Sequence, residues 1–153
     1  MRGIEVRALA ALEVERLERE EPPGRGFVRA RRAAQEAGGS VLLVAWDGDR
    51  PLGSGQLDVR GAVPELRNLQ VEEAARGRGV GTAIIREAER RIGPGGRLTM
   101  GVGLDNTRAR ALYERLGYRG TGETTTTSYA YVDDAGATRQ ATETDETLAR
   151  DLA

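Results

Sequence analysis

The pattern of apolar and polar positions in the first half of the chain predicts a β-hairpin. Residues 41–46 form a continuous apolar run that ends at Asp47-Gly48-Asp49-Arg50, a typical hairpin turn, and residues 51–59 supply the partner strand. The same patterns predict four more elements in this half: strands over residues 4–7 and 63–71, and helices over residues 8–20 and 27–37.

The second half contains both helical and strand periodicities. Leu98, Met100 and Val102 alternate with polar residues and predict a strand. The other predicted elements are helices over residues 80–92 and 106–116, and a Thr-rich pair of strands over residues 123–132 and 138–144. This order of elements predicts one domain over residues 1–153, with a mixed α/β (α+β-like) fold in which helices cover a mostly antiparallel sheet.

Composition narrows the possible chemistry. The chain has no Cys, no His and no Lys, so all 23 basic side chains are Arg, against 24 acidic ones. Catalysis by a Cys or Ser with His, Schiff-base chemistry and thiolate or imidazole metal sites are thereby excluded, and no metal is expected. No signal peptide or long apolar run is found, which predicts a cytoplasmic protein with no membrane partner.

Positive charge is concentrated in one segment. Residues 76–119 hold ten Arg and four acidic residues, whereas the chain as a whole has a formal charge of −1. Nucleic-acid binding is not expected, because the chain is not basic overall and has one Phe, one Trp and four Tyr to stack on bases. The segment favours a small anionic ligand; a solvated helix face is the alternative.

The most informative stretch is glycine-rich and lies between a predicted strand and a predicted helix. It reads Arg76-Gly77-Arg78-Gly79-Val80-Gly81-Thr82. Glycines allow an anion to approach the backbone closely, and the first N–H groups of a helix have no partner within the helix. The stretch therefore predicts a phosphate or pyrophosphate site, or else a tight turn with no ligand. It lacks the Lys of a Walker loop and the third Gly of the dinucleotide fingerprint.

Two blocks of sequence resemble one known family. Arg76 to Gly81 matches the R/Q-x-x-G-x-G/A signature of the GCN5-related N-acetyltransferase (GNAT) superfamily. Asn106, Ala109, Tyr113, Gly117 and Tyr118 resemble the second block of that family. The two blocks cover residues 63–119, and the order of elements fits from about residue 3 to residue 144. The resemblance implies a GNAT fold with a central, mostly antiparallel twisted sheet of about six to seven strands and about four helices.

The resemblance also implies a cofactor and its binding residues. Members of the family transfer the acetyl group of acetyl-CoA directly to an amine, so no nucleophilic side chain is required. The N–H of Leu69 would polarise the thioester carbonyl, and the backbone around Val71 would bind pantetheine. The residues implied in acetyl-CoA binding are Leu69, Gln70, Val71, Arg76, Gly77, Arg78, Gly79, Val80, Gly81, Thr82, Asn106 and Tyr113.

The resemblance assigns proton transfer to two side chains. Tyr113 would protonate the departing CoA thiolate, although helical spacing also makes it a core residue. Glu65 would be the general base; it is expected to alternate with Arg67, Leu69 and Val71 on one strand face, and Arg67 would then be able to pair with it. Bulk-connected water or a residue of the C-terminal tail is the alternative base. Asn106 would orient the helix or the cofactor, or serve only as a helix cap.

The resemblance implies that the acceptor is a primary amine, either of a small molecule or of a peptide or protein. An alternative to the enzyme is a non-catalytic acyl-CoA-binding module of the same fold. The expected partners are acetyl-CoA and the amine, and the chain is expected to be a monomer or a homodimer.

Overall fold

A computed structural model describes residues 3–10, 13–14, 17, 19, 32–33, 35 and 37–153. The residues group into two compact units, one formed by residues 1–98 with 151–153 and the other by residues 99–150. The expectation of a single domain stays a prediction.

The first unit contains four antiparallel strands and one long helix. The strands follow one another in the order β1-β2-β3-β4, each paired with the next. Helix α1 is amphipathic and buries Val80, Ile84, Ile85 and Ala88. A 3-10 turn, Glu73–Ala75, precedes it. The bounds of the elements are β1 Glu5–Ala8, β2 Ser40–Asp47, β3 Arg50–Asp58, β4 Glu65–Val71 and α1 Val80–Ile92.

Two glycines of β3 allow α1 and β4 to approach closely. A Cβ atom added at Gly53 would lie 2.6 Å from the carbonyl oxygen of Gln70 and 3.1 Å from a methyl group of Val80. A Cβ atom at Gly55 would lie 3.1 Å from Ile84. Any larger side chain at these positions would push the helix or the neighbouring strand away. The glycines therefore position the N-terminus of α1.

A second cluster of core residues includes the start of the chain. Leu9, Leu42, Val44 and Trp46 are almost completely buried, and Val14 and Leu17 are packed against them. The side chain of Gln35 accepts a hydrogen bond from Leu42 N at 2.8 Å and donates one to Leu9 O at 2.9 Å. The helices predicted over residues 8–20 and 27–37 lie mostly outside the described residues, so they stay predictions.

The second unit contains most of β5 and three further elements. Its strands have the order β5-β7-β6, and a short helix, α2, follows β5. Its buried residues include Met100, Val102, Tyr118 and Leu148. The bounds of the elements are β5 Arg97–Gly103, α2 Thr107–Arg115, β6 Arg119–Val132 and β7 Thr138–Asp151.

The predicted mixed α/β fold with mostly antiparallel strands is confirmed, and the described chain contains seven strands. Of the four expected flanking helices, two are described. The predicted last strands were too short, because β6 begins at Arg119 and β7 continues to Asp151. Sequence patterns do not show the start of β6, because Gly120 and Gly122 are residues that strands disfavour. The pairing of β6 with β7 is also irregular between residues 120 and 124.

Candidate active site

The glycine-rich stretch forms the turn that leads into α1. Gly77 and Gly79 have φ angles of +82° and +79°, in the left-handed region that favours glycine. Gly79 is the N-cap of α1, and its carbonyl accepts the hydrogen bond of Ala83 N at 3.0 Å. Both glycines are open at the position of a Cβ, so backbone conformation rather than crowding requires glycine here.

The first turn of α1 presents free N–H groups. Ala83 is the first residue whose N–H is bound by the carbonyl of the N-cap, so the N–H groups of Val80, Gly81 and Thr82 have no partner within the helix. These N–H groups lie at the positive end of the helix dipole, where anions bind favourably. The N–H of Arg76, by contrast, already donates to Glu73 O at 3.2 Å in the 3-10 turn.

The two arginines of this turn differ in their surroundings. A guanidinium nitrogen of Arg78 lies 3.3 Å from a carboxylate oxygen of Asp47, in a pair that is partly exposed. Arg76 is exposed, and within the described part of the chain its side chain makes no hydrogen bond or ion pair. Arg76 is therefore the side chain of this turn that is available to an anionic ligand.

Strand β4 has one more residue than β3 over the same length. Arg67 lies opposite Gln56 and Gln70 lies opposite Ser54, so two residues of β4 stand against Gly55 alone. This arrangement is a β-bulge, which disrupts the regular ladder and bends the strand.

The bulge is formed by Asn68 and Leu69. Asn68 has a φ of +54°, the one positive φ among the described residues other than glycine. Asn adopts this left-handed conformation more readily than most residues. Backbone groups of Asn68 and Leu69 are thereby removed from the regular pairing with β3.

The bulge also changes which side chains share a face of β4. Leu66 and Leu69 both lie close to the Cβ position of Gly55, at 3.1 and 3.4 Å. The expectation that Glu65 alternates with Leu69 on one face is therefore wrong, because the extra residue shifts the alternation between Arg67 and Leu69. Glu65 lies on the face opposite to Leu69.

Glu65 is part of a small charged network. Arg67 bridges the carboxylates of Glu65 and Asp58: its Nε lies 3.3 Å from Glu65, and a terminal guanidinium nitrogen lies 3.4 Å from Asp58. The pairing with Arg67 that the sequence suggested is therefore present. Asp58 is buried and also accepts hydrogen bonds from the backbone N–H and guanidinium of Arg60. These bonds to Arg60, with a further one from Arg67, hold the pKa of Asp58 well below its ordinary value.

Asn106 is the N-cap of α2. Its side-chain oxygen accepts a hydrogen bond from Ala109 N at 3.1 Å, so the interpretation of Asn106 as a helix cap is confirmed. This contact fixes the start of the helix that carries Tyr113.

Tyr113 lies near the end of α2 with its ring buried. Its side chain is about nine-tenths buried, and burial raises the pKa of its hydroxyl above the ordinary value of 10.0. Within the described chain that hydroxyl makes no hydrogen bond. The ring therefore packs as a core residue, as helical spacing suggested, while its hydroxyl is free to donate a proton.

The backbone around Tyr113 forms a Schellman motif. Tyr118 N donates to Tyr113 O at 3.0 Å, and Gly117 N donates to Glu114 O at 3.1 Å, with Gly117 at a φ of +103°. Gly117 and Tyr118, which the second sequence block includes, therefore end the helix and hold its last turn.

Sequence reasoning missed an acidic groove in the second unit. The groove has a volume of about 410 Å³, and Asp105, Glu143 and Asp145 contribute its carboxylates. The excess of acids after residue 120 was the available signal, but the pairing of strands that assembles them was not predictable from it. Among the described residues, no group of three or more acidic side chains has the geometry of a metal site.

A second missed feature is the ion pair between Arg110 and Glu146, 2.7 Å apart. The guanidinium lowers the pKa of Glu146. Because the pair is 36 residues apart in sequence, local patterns contain no sign of it.

No helix in the described part of the chain is both long and apolar enough to cross a bilayer.

Solved structures of acetyltransferases resemble this chain closely. The ribosomal-protein-S18-alanine N-acetyltransferase from Escherichia coli has a TM-score of 0.67 at 18% identity and covers 99% of this chain and 95% of its own. An N-acetyltransferase from Staphylococcus aureus Mu50 has a TM-score of 0.70 at 14% identity, over 99% of both chains. The PaiA N-acetyltransferase from Thermoplasma acidophilum, solved with coenzyme A, has a TM-score of 0.65 at 13% identity, over 98% and 99%. These TM-scores, at identities below 25%, show a common fold and no more.

A search of curated protein sequences finds no match. The family model described as "Acetyltransferase (GNAT) family" matches residues 7–118, which is more than half of the chain. This match favours an acetyltransferase over a non-catalytic acyl-CoA-binding module. The chain therefore belongs to the GNAT family of acetyltransferases, which use acetyl-CoA to acetylate amines.

Proposed function

We propose that this protein transfers the acetyl group of acetyl-CoA to a primary amine by direct attack, with both substrates bound at once. The observation that carries the proposal is the turn into α1. In the described part of the chain, three N–H groups of this turn have no partner within the helix and the Arg76 side chain makes no ion pair, and the segment resembles the family signature. This set of donors suits the pyrophosphate of CoA.

The pyrophosphate would be bound mostly by backbone groups. The N–H groups of Val80, Gly81 and Thr82 would donate to its oxygens, and Arg76 would add a charge-assisted hydrogen bond. Arg78 contributes less, since it is already paired with Asp47. No Lys is needed for this mode of binding, which agrees with the composition of the chain.

The bulge in β4 supports the assignment of the thioester site. Because Asn68 and Leu69 leave the regular ladder, the N–H of Leu69 is a candidate donor to the thioester carbonyl. A donor at this position would stabilise the negative charge that develops on the carbonyl oxygen during attack. Backbone groups of Gln70 and Val71 would bind the pantetheine arm next to it.

Tyr113 would be the general acid. As the amine forms its bond to the carbonyl carbon and the bond to sulfur breaks, the Tyr113 hydroxyl would give its proton to the CoA thiolate. Burial raises the pKa of this hydroxyl, so it keeps its proton at neutral pH. The hydroxyl makes no competing hydrogen bond within the described chain. Asn106 would support this role by fixing the start of α2.

Glu65 would take the proton that the ammonium group of the acceptor must lose before it attacks. Its carboxylate is about 38% exposed, so it can be reached by water. Because it lies on the face of β4 opposite to Leu69, we assign the transfer to a route through water. The acceptor itself is a small-molecule amine or the amine of a peptide or protein.

Two measurements test the proposal. Isothermal titration with acetyl-CoA is expected to show binding that is lost when acetate, which lacks the pyrophosphate, replaces the cofactor. Release of CoA thiol is then followed over a panel of amines, which includes polyamines, amino acids and peptides with free N-termini. Absence of binding would contradict the proposed site. Binding without thiol release on any amine would contradict the enzymatic function.

A further inference from the structure

The hairpin of β6 and β7 is unusually exposed. All fourteen residues of β6 are exposed, and so are five of the first six residues of β7. Nine consecutive rungs, from Thr124 opposite Glu146 to Val132 opposite Thr138, connect the two strands. A two-stranded ribbon that is open on both faces is only marginally stable by itself. This ribbon is therefore expected to gain stability from a further partner.

Over residues 124–132 the outer edge of β6 lacks the charged residues, Pro and bulges that keep edge strands from pairing. Within the described chain β7 is the one strand that pairs with β6. Residues 124–132 contain no charged residue and no Pro, and they are rich in Thr and Tyr, which favour strands. By contrast, β1, at the end of the strand order in the first unit, has four residues and includes Glu5 and Arg7. The edge of β6 is thus open to another strand.

One face of the ribbon is also uncharged. Thr126 and Ser128 are hydrogen bonded across the hairpin to Thr144 and Thr142, with oxygens 3.0 and 3.2 Å apart. The next two rungs on this face pair Ala130 with Gln140 and Val132 with Thr138. Seven of these eight neighbouring positions are exposed and none of the eight carries a charge, which is unusual in a chain of which 31% of residues are charged.

We propose that two copies of this chain associate through the edges of β6, antiparallel and about a two-fold axis at Ser128, so that their hairpins form one four-stranded ribbon. A two-fold axis normal to the ribbon keeps every side chain on its own face, so two residues that pair must be an even number of positions apart in sequence. The axis therefore lies between the two copies of one residue, not between two neighbouring residues. Ser128 is the middle of the uncharged segment.

The chemistry of this register favours a second copy as the occupant. Tyr129 and Tyr131 would lie opposite Thr127 and Thr125 of the other copy, and pairs of aromatic and β-branched residues stabilise neighbouring strands. No like charges meet over the nine residues. Just beyond these nine residues, Asp133 would lie opposite Glu123 of the other copy. Asp133 is paired with Arg139 of its own chain, which limits the repulsion between the two carboxylates.

The size of the contact sets its strength. Nine residues of one strand edge are fewer than the 20–30 residues of a standard interface side, so we expect dissociation constants of about 1–100 μM. Sedimentation equilibrium of the full chain from about 1 to 300 μM should therefore show a monomer that becomes a dimer. A chain that stays monomeric throughout this range would overturn the proposal.

Cysteine variants test the register, because the natural chain has no Cys. Under mild oxidation Ser128→Cys is expected to form a disulfide-linked dimer, since residues paired across strands are within the Cα distance that a disulfide needs. Thr142→Cys is the matched control: it lies on the same rung and face and loses the same hydrogen bond, but on the inner strand. Equal cross-linking of the two variants, or none in Ser128→Cys, would contradict the register.

Variants that introduce a charge test the same contact without a covalent cross-link. Ser128→Arg would place two like charges opposite each other and is expected to weaken the dimer about tenfold or more, whereas Thr142→Arg changes it little. An equal mixture of Ser128→Arg and Ser128→Glu should restore dimers. A dimer that Ser128→Arg leaves intact would show that the copies associate elsewhere.

Discussion

Leu66 and Leu69 of β4 lie on the same face of their strand although three positions separate them, and both lie within 3.4 Å of the Cβ position of Gly55. In a regular strand residues three apart point to opposite faces. The bulge at Asn68 and Leu69 accounts for the difference, and it places Val71, two residues on from Leu69, opposite Gly53.

Gly53→Ala is expected to lower the free energy of unfolding by about 1–3 kcal/mol, because the added methyl group would lie 2.6 Å from the carbonyl oxygen of Gln70. Gly61→Ala is the control, since the nearest atom to its added Cβ is 3.7 Å away. Urea denaturation followed by circular dichroism measures both. Equal stability of the two variants would show that β3 and β4 tolerate the methyl group.

Asn68→Gly is expected to keep both stability and acetyl-CoA binding, because glycine adopts a positive φ readily. Asn68→Val should cost about 1–2 kcal/mol and weaken acetyl-CoA binding, since a β-branched residue opposes the left-handed conformation that the bulge requires. Gln140→Val, at an exposed position of β7, is the control. Titration calorimetry and urea denaturation would reveal whether the valine variant behaves like the control instead.

Asp58→Asn is expected to destabilise the protein at neutral pH by about 1–3 kcal/mol, because charge-assisted hydrogen bonds from Arg60 and Arg67 are lost. The folded-state pKa of Asp58 is lowered, so its contribution is complete above the unfolded value of about 4 and declines as the pH falls below it. The difference between Asp58→Asn and the natural chain should therefore shrink between about pH 4 and pH 2. A difference that is constant over this range would exclude the ionised carboxylate as its source.

Tyr113→Phe is expected to lower kcat by about 10²-fold or more while leaving the Kd of acetyl-CoA nearly unchanged, since a general acid acts in the transition state. Tyr131→Phe removes the same hydroxyl from an exposed ring and should change neither value. Because the pKa of Tyr113 is raised, the natural enzyme should keep its acid form up to pH 10. Turnover of Tyr113→Phe at the natural rate would remove this residue as the acid.

Arg76→Ala is expected to weaken acetyl-CoA binding by about 10- to 100-fold, which corresponds to one hydrogen bond to a charged group. Arg78→Ala should have a smaller effect, because Arg78 is paired with Asp47 in the free protein. Arg115→Ala, on the exposed side of α2, is the control for the loss of one positive charge. The same ranking should appear with CoA lacking the acetyl group; if all three variants bind alike, Arg76 has no contact with the cofactor.

Much of the fold was predictable from local patterns. Residues 80–92 follow helical spacing over their whole length, and α1 begins and ends at these residues. The turn at residues 47–50 identifies the hairpin of β2 and β3, which the structure confirms. These features depend on residues close together in sequence, so a single chain contains the information that defines them.

Features that depend on pairing between distant residues were not predictable. The bulge in β4 exists relative to β3, and neither strand shows it alone; it moved Glu65 to the face opposite to Leu69. Likewise, Arg76 and Arg78 look equivalent in sequence, and only the position of Asp47, 31 residues earlier than Arg78, distinguishes them. The roles of Tyr113 and Glu65 stay predictions from the family resemblance.

The Schellman motif after α2 limits the freedom of Tyr113. Its carbonyl accepts hydrogen bonds from both Leu116 N and Tyr118 N, so the last turn of the helix and the first residues toward β6 close on the same oxygen. The aromatic ring is thus attached to a helix end whose hydrogen bonds share one acceptor, so this end cannot fray one residue at a time. In its proposed role as proton donor, Tyr113 would need little reorganisation before each turnover. Insertions between residues 113 and 118 would be far less tolerated than insertions at the tip of the long hairpin.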